Sequence, residues 1–134
     1  MPLVWNEQLE GAIRRALAVA LVRAAEEVRT EAIRLILSTQ KTGRLYRRRG
    51  AEHQASAPGE PPATDTGRLV NSINTEVDTQ NLVVRVTANA AHADALEFGT
   101  RNMEPRPFMR PALANKRDRI EEIIGEELRK VLKT

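Results

Sequence analysis

His53 and His92 are the chain's only histidines, and it has no cysteine. Those two facts decide much of the chemistry. Without cysteine there are no disulfides and no thiolate zinc sites, and two isolated histidines cannot supply the ligands a metal needs. His92 and Asp94 stand two positions apart, so on a helix they do not share a face. Glu97 can be drawn with His92 as an acid–base pair. A hydrolase would want more: a nucleophile beside its base, or two carboxylates flanking a bond. Gly43 and Gly67 lie in no glycine-rich strand-to-helix turn, so they make no phosphate loop. These residues predict a chain that is not an enzyme and holds neither cofactor nor metal.

Charge is the one chemical feature with reach. Lys41, Arg44, Arg47, Arg48 and Arg49 place five positive charges within 41–49, against a net charge of +3 for the chain, so the remainder carries −2. The basicity is a patch and not a property of the whole. Arginine's planar fork pairs with phosphate or with carboxylate through two bonds. The patch therefore reads as a contact for DNA phosphates, as a dock on an acidic protein face, or as a solvated loop. Tyr46 among the arginines could stack on a base.

At 134 residues the chain is long enough for one domain with a small core. Aromatic residues make up 3%, namely Trp5, Tyr46, Phe98 and Phe108, so the core must be aliphatic. No apolar run approaches the ~20 residues of a membrane span. Met1-Pro2-Leu3-Val4 lacks the basic and apolar regions of a signal peptide.

The pattern predicts one long helix from Asn6 to Ser38. Its apolar face would be Leu9, Ile13, Leu17, Leu21, Ala24, Val28, Ala32 and Leu35, with Arg14, Arg23, Glu27, Glu31 and Arg34 mostly off it. Glu10 and Arg14 stand in a favourable i,i+4 order. Thr39–Asp65 is polar and proline-containing, with Leu45 its sole aliphatic beyond alanine. Such a span cannot order itself by burial, and it reads as a flexible basic arm at about 39–65 that orders on assembly. Asp65 or Thr66 would cap a short helix through Ile73. Ile73, Thr75 and Val77, then Leu82, Val84 and Val86, alternate as a hairpin about Gln80-Asn81. A short helix over Ala91–Phe98 would end at Gly99, the residue that enters the left-handed region at little cost. Met103, Pro105, Pro107 and Phe108 make a stiff crossing, with Pro111 near the start of a second long helix. That helix would bury Leu113, Ile120, Ile124, Leu128 and Val131, and turn Arg117, Glu121, Glu122 and Arg129 outward. Phe98 and Phe108 are expected to pack together under the crossing. The class is α+β: a long N-terminal helix, a flexible basic arm, a small antiparallel hairpin, short helices and a long C-terminal helix.

Two blocks resemble one family. Ala95-Leu96-Glu97-Phe98-Gly99-Thr100, followed by Pro105-Arg106-Pro107-Phe108-Met109-Arg110-Pro111-Ala112-Leu113, is similar to the "hEFGT … RPFhRPAL" signature of tail-completion or head–tail joining proteins of long-tailed bacteriophages, related to the minor tail protein Z of lambda. Thr66-Gly67-Arg68-Leu69-Val70-Asn71-Ser72-Ile73 resembles its "TGxLxxSI" element, and Ala55–Pro62 agrees. Order and spacing match over roughly 40–113.

The resemblance implies a single neck or tail-completion domain over 1–134. It implies a structural virion protein at the head–tail junction, assembled in the host bacterial cytoplasm, that completes the tail as a homo-oligomeric ring, a hexamer by preference. Its partners would be itself and neighbouring neck and tail proteins, with a passing contact to genomic DNA in the channel and none to membrane. Glu97 would belong to a structural turn, its carboxylate bonded to backbone N–H groups or to an arginine. The residues expected to carry assembly are Lys41, Arg44, Tyr46, Arg47, Arg48 and Arg49 in the arm, and Phe98, Gly99, Arg106, Phe108 and Arg110 at the crossing. The alternative is a small nucleic-acid-binding protein that uses the Lys41–Arg49 arm. It rests on the arginines and an isoelectric point near 9.8. It lacks a recognition-helix pattern, and the long helices carry mixed charge.

Overall fold

The computed structural model describes residues 6–38, 45–48, 51–54, 58, 68–89, 93–101 and 107–132. Among these the order is α1 (Glu7–Ser38), β1 (Leu45–Arg48), β2 (Ala51–Gln54), α2 (Arg68–Asn71), β3 (Ile73–Asp78), β4 (Val83–Ala88), α3 (Ala93–Phe98) and α4 (Met109–Leu132). The fold is α+β, as the periodicities predict.

Asn6 starts α1. Its carbonyl accepts the first helical bond from Glu10 N–H at 3.0 Å, and its Oδ1 accepts Leu9 N–H at 2.8 Å, so the side chain satisfies an otherwise orphaned donor. With 32 residues and no proline, α1 runs about 48 Å. α4 lies antiparallel against it: Glu31 meets Asn115, Glu27 meets Arg119, and Arg23 meets Glu126 and Glu127. The buried face of α1 is Ala16, Ala20, Ala24, Ala25, Val28, Ala32, Leu35 and Ile36. The expected face is therefore right from Ala24 onward and shifted before it. Leu9, Ile13, Leu17 and Leu21 are only half-buried, because the alanines take the close contact. Glu31 is buried and not off the face. Arg14 donates to the Gln80 carbonyl in the β3–β4 turn, which ties the far end of α1 to the sheet.

In α4 the buried residues are Ala112, Ile123 and Glu127. Leu113 is 55% exposed, and Ile120, Ile124, Leu128 and Val131 are half-buried. The expected stripe is thus turned aside from the α1 contact by about one residue, or ~100°. Arg117, Glu121, Glu122 and Arg129 do face out.

β3 and β4 form an antiparallel hairpin with Thr75 opposite Val86 and Ile73 opposite Ala88. Ile73 begins this strand and does not belong to the short helix, which is the single turn α2. Ser72 closes that turn, its N–H and Oγ both donating to the Leu69 carbonyl. Leu82 lies in the connecting turn with φ 53°, not in the strand. Asp78 holds that turn, its carboxylate accepting Gln80 N–H, Asn81 N–H and the Asn81 amide. These bonds, the Asn81 side chain's first, keep the Asp78 carboxyl below its usual range.

A second antiparallel hairpin, β1–β2, lies inside the span read as an arm, where composition predicts no strand. Its two strands contact chiefly each other.

One core closes the domain. Val28, Ala32, Leu35 and Ile36 of α1 meet Leu69, Ile73, Ala93, Phe108 and Ala112. Both sequence blocks of the resemblance, Thr66–Ile73 and the α3–α4 corner, deliver their buried apolar residues to this cluster.

Candidate functional site

The most elaborated site is the corner where α3 hands the chain to α4. α3 is short and ends at Gly99, whose φ of 78° turns the backbone through the left-handed region. A side chain with a Cβ is disfavoured there, so glycine fits the position. The last turn of α3 carries Glu97, 5% exposed, and Phe98, 64% exposed.

Glu97 completes the N-terminus of α4. Its Oε1 accepts Phe108 N–H at 3.1 Å and Met109 N–H at 2.7 Å. Its Oε2 accepts Arg110 N–H at 3.3 Å and Arg110 Nε at 2.9 Å. A helix begins with four N–H groups that lack helical partners. Here they belong to positions 108–111: three donate to Glu97, and the fourth is Pro111, which has none to give. The first bond of the helical ladder then runs from Ala112 N–H to the Phe108 carbonyl at 3.2 Å. A negative charge at this end also complements the helix dipole.

Arg110 closes the corner from outside. Besides Nε on the carboxylate, its Nη2 donates to the Glu97 carbonyl at 2.9 Å, and its guanidinium carbon lies 5.2 Å from the centre of the Phe98 ring. Phe98 is thus an exposed platform under a cation. Phe108, 1% exposed, is the largest wholly buried side chain among the described residues. The expected pairing of the two rings under the crossing is wrong. Phe98 lies on the exposed face of α3, while Phe108 opens α4 and is buried in the core.

Burial alone would push the Glu97 carboxyl up. The bonds from Met109, the Arg110 guanidinium, Phe108 and the Arg110 N–H outweigh it, and the carboxyl sits below the usual glutamate range. An ionised carboxylate accepting four donors has its acceptor positions filled. The acid–base drawing with His92 gains nothing here, and His92 itself lies outside the described residues. The structural turn implied by the resemblance is what the geometry displays, with both named partners present, backbone N–H groups and an arginine.

The other expected site residues divide. Phe98, Gly99, Phe108 and Arg110 come together at this corner. Arg106 lies outside the described residues, as do Lys41, Arg44 and Arg49. Tyr46, Arg47 and Arg48 fall in β1, whose register sets Tyr46 opposite His53 and Arg47 opposite Glu52. Counted by sequence the cluster has no acid within it; the hairpin brings one to the facing position.

Two further features were missed from sequence. One is an ionic seam along one side of the α1–α4 contact. Arg23 bonds Glu126 at 3.0 Å and Glu127 at 2.8 Å, and Arg119 reaches Glu122, Glu126 and Glu27. These bonds hold Glu126 and Glu127 below the usual carboxylate range, through Arg23 first for Glu126 and Lys130 first for Glu127. The other is an apolar groove of about 410 Å³ on the opposite side of the contact. Its floor is Leu21, Ala24, Ala25 and Val28 of α1, and its walls are β4 and the start of α4, with Leu113 and Ile120. The signal was present: the strong aliphatic stripe of α4 is displaced from the phase of its alanine and charged positions.

The family model described as "Bacteriophage HK97-gp10, putative tail-component" matches residues 6–99, from the cap of α1 to the glycine that ends α3. No curated protein matches the chain. No solved structure matches it either.

Proposed function

The chain belongs to the HK97-gp10-like family of phage tail components, and from that premise we propose that it completes the tail and joins it to the head. Membership makes it a structural protein of the virion, in contact with other tail proteins. The finer reading is a ring of copies at the head–tail junction, a hexamer by preference, with the basic span meeting the neighbouring neck protein.

The observation that carries this reading is the Glu97 corner. A carboxylate, a left-handed glycine, a proline and a buried phenylalanine all serve to fix the direction of one helix. That suits an assembly part, which must present a surface at a fixed angle and needs no free reactive group. The resemblance of this corner to the joining-protein signature supports the same reading. So does the exposed Phe98–Arg110 platform beside it, an aromatic and an arginine of the kinds that anchor interfaces.

The test is genetic and visual. Phage lacking this chain should yield separate full heads and tails by electron microscopy, and wild-type protein added to the lysate should join them. Joined particles in its absence would overturn the reading. A chain with Arg47, Arg48 and Arg49 all changed to Ser should fold normally, because none of the three belongs to the core cluster of the domain. It should fail to restore joining. If it restores joining in full, the basic span is not the contact.

A further inference from the structure

The α1–α4 contact has two unlike sides. One is closed by the ion pairs of Arg23 and Arg119. The other is open and apolar, the groove over Leu21, Ala25 and Val28 with Leu113 exposed on its rim. An apolar groove with an exposed leucine on its rim is a shape that a few apolar side chains can fill. Arg110 is its sole charged group, and that guanidinium is already bonded to Glu97. A polar or charged ligand would find no partner here. The volume of about 410 Å³ lies near the lower end of ligand-sized sites, ~300–1,000 Å³. It takes a few side chains, not a helix.

The chain holds one short segment of matching chemistry, Met1-Pro2-Leu3-Val4-Trp5, which precedes the Asn6 cap and lies outside the described residues. It has four apolar side chains besides proline, no charged side chain, and the chain's single tryptophan. It cannot cover the groove of its own subunit. From Glu7 to Leu21 the helix rises ~21 Å, and Val28 lies ~10 Å further on. Five extended residues reach at most ~18 Å. Folded back along α1, the segment stops before the groove begins.

We propose that Met1–Trp5 of one copy docks in the apolar groove of a second copy, with Trp5 as its anchor. Donor and acceptor are then different patches of one chain. Such a contact is head-to-tail, and repeated with a closing rotation it generates a ring. The inference rests on the ring reading of the proposed function and names the surface by which copies meet.

Because the chain has no cysteine, single thiols can be placed on a clean background. One preparation carries Val4→Cys, a second carries Leu113→Cys, and a third carries Val19→Cys as control. Val19 is 49% exposed, and it stands two residues before Leu21, so it lies ~200° round the helix from the groove. Leu113 is exposed, and neither change disturbs the core. The preparations are mixed in pairs, allowed to assemble, and oxidised mildly. The expected result is a disulfide-linked heterodimer of the Val4→Cys and Leu113→Cys chains as the main product. The Val4→Cys and Val19→Cys pair should give at most a tenth as much. The emission of Trp5 should shift to the blue as copies assemble, and Trp5→Ala should weaken self-association at least tenfold by sedimentation. If wild type forms rings but the heterodimer is missing, the docking is overturned and the ring reading stands. Docking between copies is likewise overturned if a chain carrying both thiols closes on itself as a monomer, or if Trp5→Ala assembles like wild type. A wild-type chain that is monomeric in solution and single-copy in purified tails overturns both.

Discussion

The Glu97 corner and the Arg23–Arg119 seam both bind α4 through carboxylates, but the carboxylates do different jobs. At the corner one buried side chain serves three backbone N–H groups that precede the first bond of the helical ladder. In the seam, carboxylates serve guanidinium groups; apart from the buried Glu127 they are half-exposed or exposed, and Arg23, Arg119, Glu27, Glu126 and Glu127 each have more than one partner. A lost bond at the corner strands a buried donor, at a cost of about 1–3 kcal/mol for each such group. A bond lost at one of the half-exposed carboxylates returns a charge to solvent and costs about 0–1 kcal/mol. Bond lengths near 3 Å occur in both places, so geometry alone does not separate them. Burial and the availability of a substitute partner do.

The largest effect expected from this contrast lies at Phe108, the side chain that anchors the corner in the core. Phe108→Ala opens a cavity among Leu35, Leu69, Ile73 and Ala112 and should cost about 3–5 kcal/mol. A domain of this size has roughly 5–15 kcal/mol in total, so a thermal melt should show a fall of ten degrees or more. Phe98→Ala, ten residues away on the other side of the crossing, should move the melt by no more than about 1 kcal/mol, since it loses only an exposed stacking contact. Equal losses at the two positions would mean that Phe98 is buried by a neighbour in the state measured.

Next comes the cap itself. Glu97→Ala takes the acceptor from three N–H groups at the head of α4, one buried and two half-buried where water can replace it, and should cost about 2–3 kcal/mol by chemical denaturation. The same residue predicts a pH signature. Its folded carboxyl titrates below the unfolded glutamate value near 4.3. The contribution is therefore whole above the unfolded value and is lost as pH falls through the folded one. Wild type should lose stability in acid, and Glu97→Ala should lose distinctly less between pH 6 and pH 3. Glu31, Glu126 and Glu127 are shifted the same way, Glu31 by Arg34 first, so part of the acid loss should remain in the variant. An acid limb identical in variant and wild type would show that the cap is not ionised as described.

Much of this was legible in the chain. The two long helices, the β3–β4 hairpin, the glycine stop and the proline start all follow from local rules that depend on a few adjacent residues. The phase of the helices was not, for a reason of size. Leucines and isoleucines dominate any reading of periodicity, while the buried face of α1 before Val28 consists of Ala16, Ala20, Ala24 and Ala25. Of the larger aliphatics on the expected faces, Leu21, Leu113 and Ile120 line the groove. β1 and β2 were hidden by composition: their residues are mostly polar and the sequence shows no apolar–polar alternation, although the two-residue spacing between Arg48 and Ala51, with Gly50 in it, is a hairpin signal. The positive φ of Leu82 had no local cue, since a branched side chain is rarely found there; Asp78's three bonds around the turn accompany it. Of the corner, residue types were readable and partners were not, because Glu97 and the start of α4 are joined only by the tertiary turn.

The smallest effect should lie in the seam, at Arg119. This guanidinium reaches Glu27, Glu122 and Glu126, the most partners of any seam cation, and a count of bonds would rank it above Glu97. Each partner, however, has a substitute. Glu126 keeps Arg23, Glu27 keeps Lys116, and Glu122 is largely exposed to water. Arg119→Met preserves the apolar stem that covers the helix surface and removes only the charge. The expected loss is at most about 1 kcal/mol at low salt. Raising the salt to about 1 M, where the screening length falls to ~3 Å, should shrink the difference between variant and wild type further. Glu97→Ala should keep most of its deficit under the same salt, because its partners are buried backbone dipoles. If Arg119→Met instead costs as much as Glu97→Ala, the seam is acting as a desolvated network, and redundancy among its ions does not protect it.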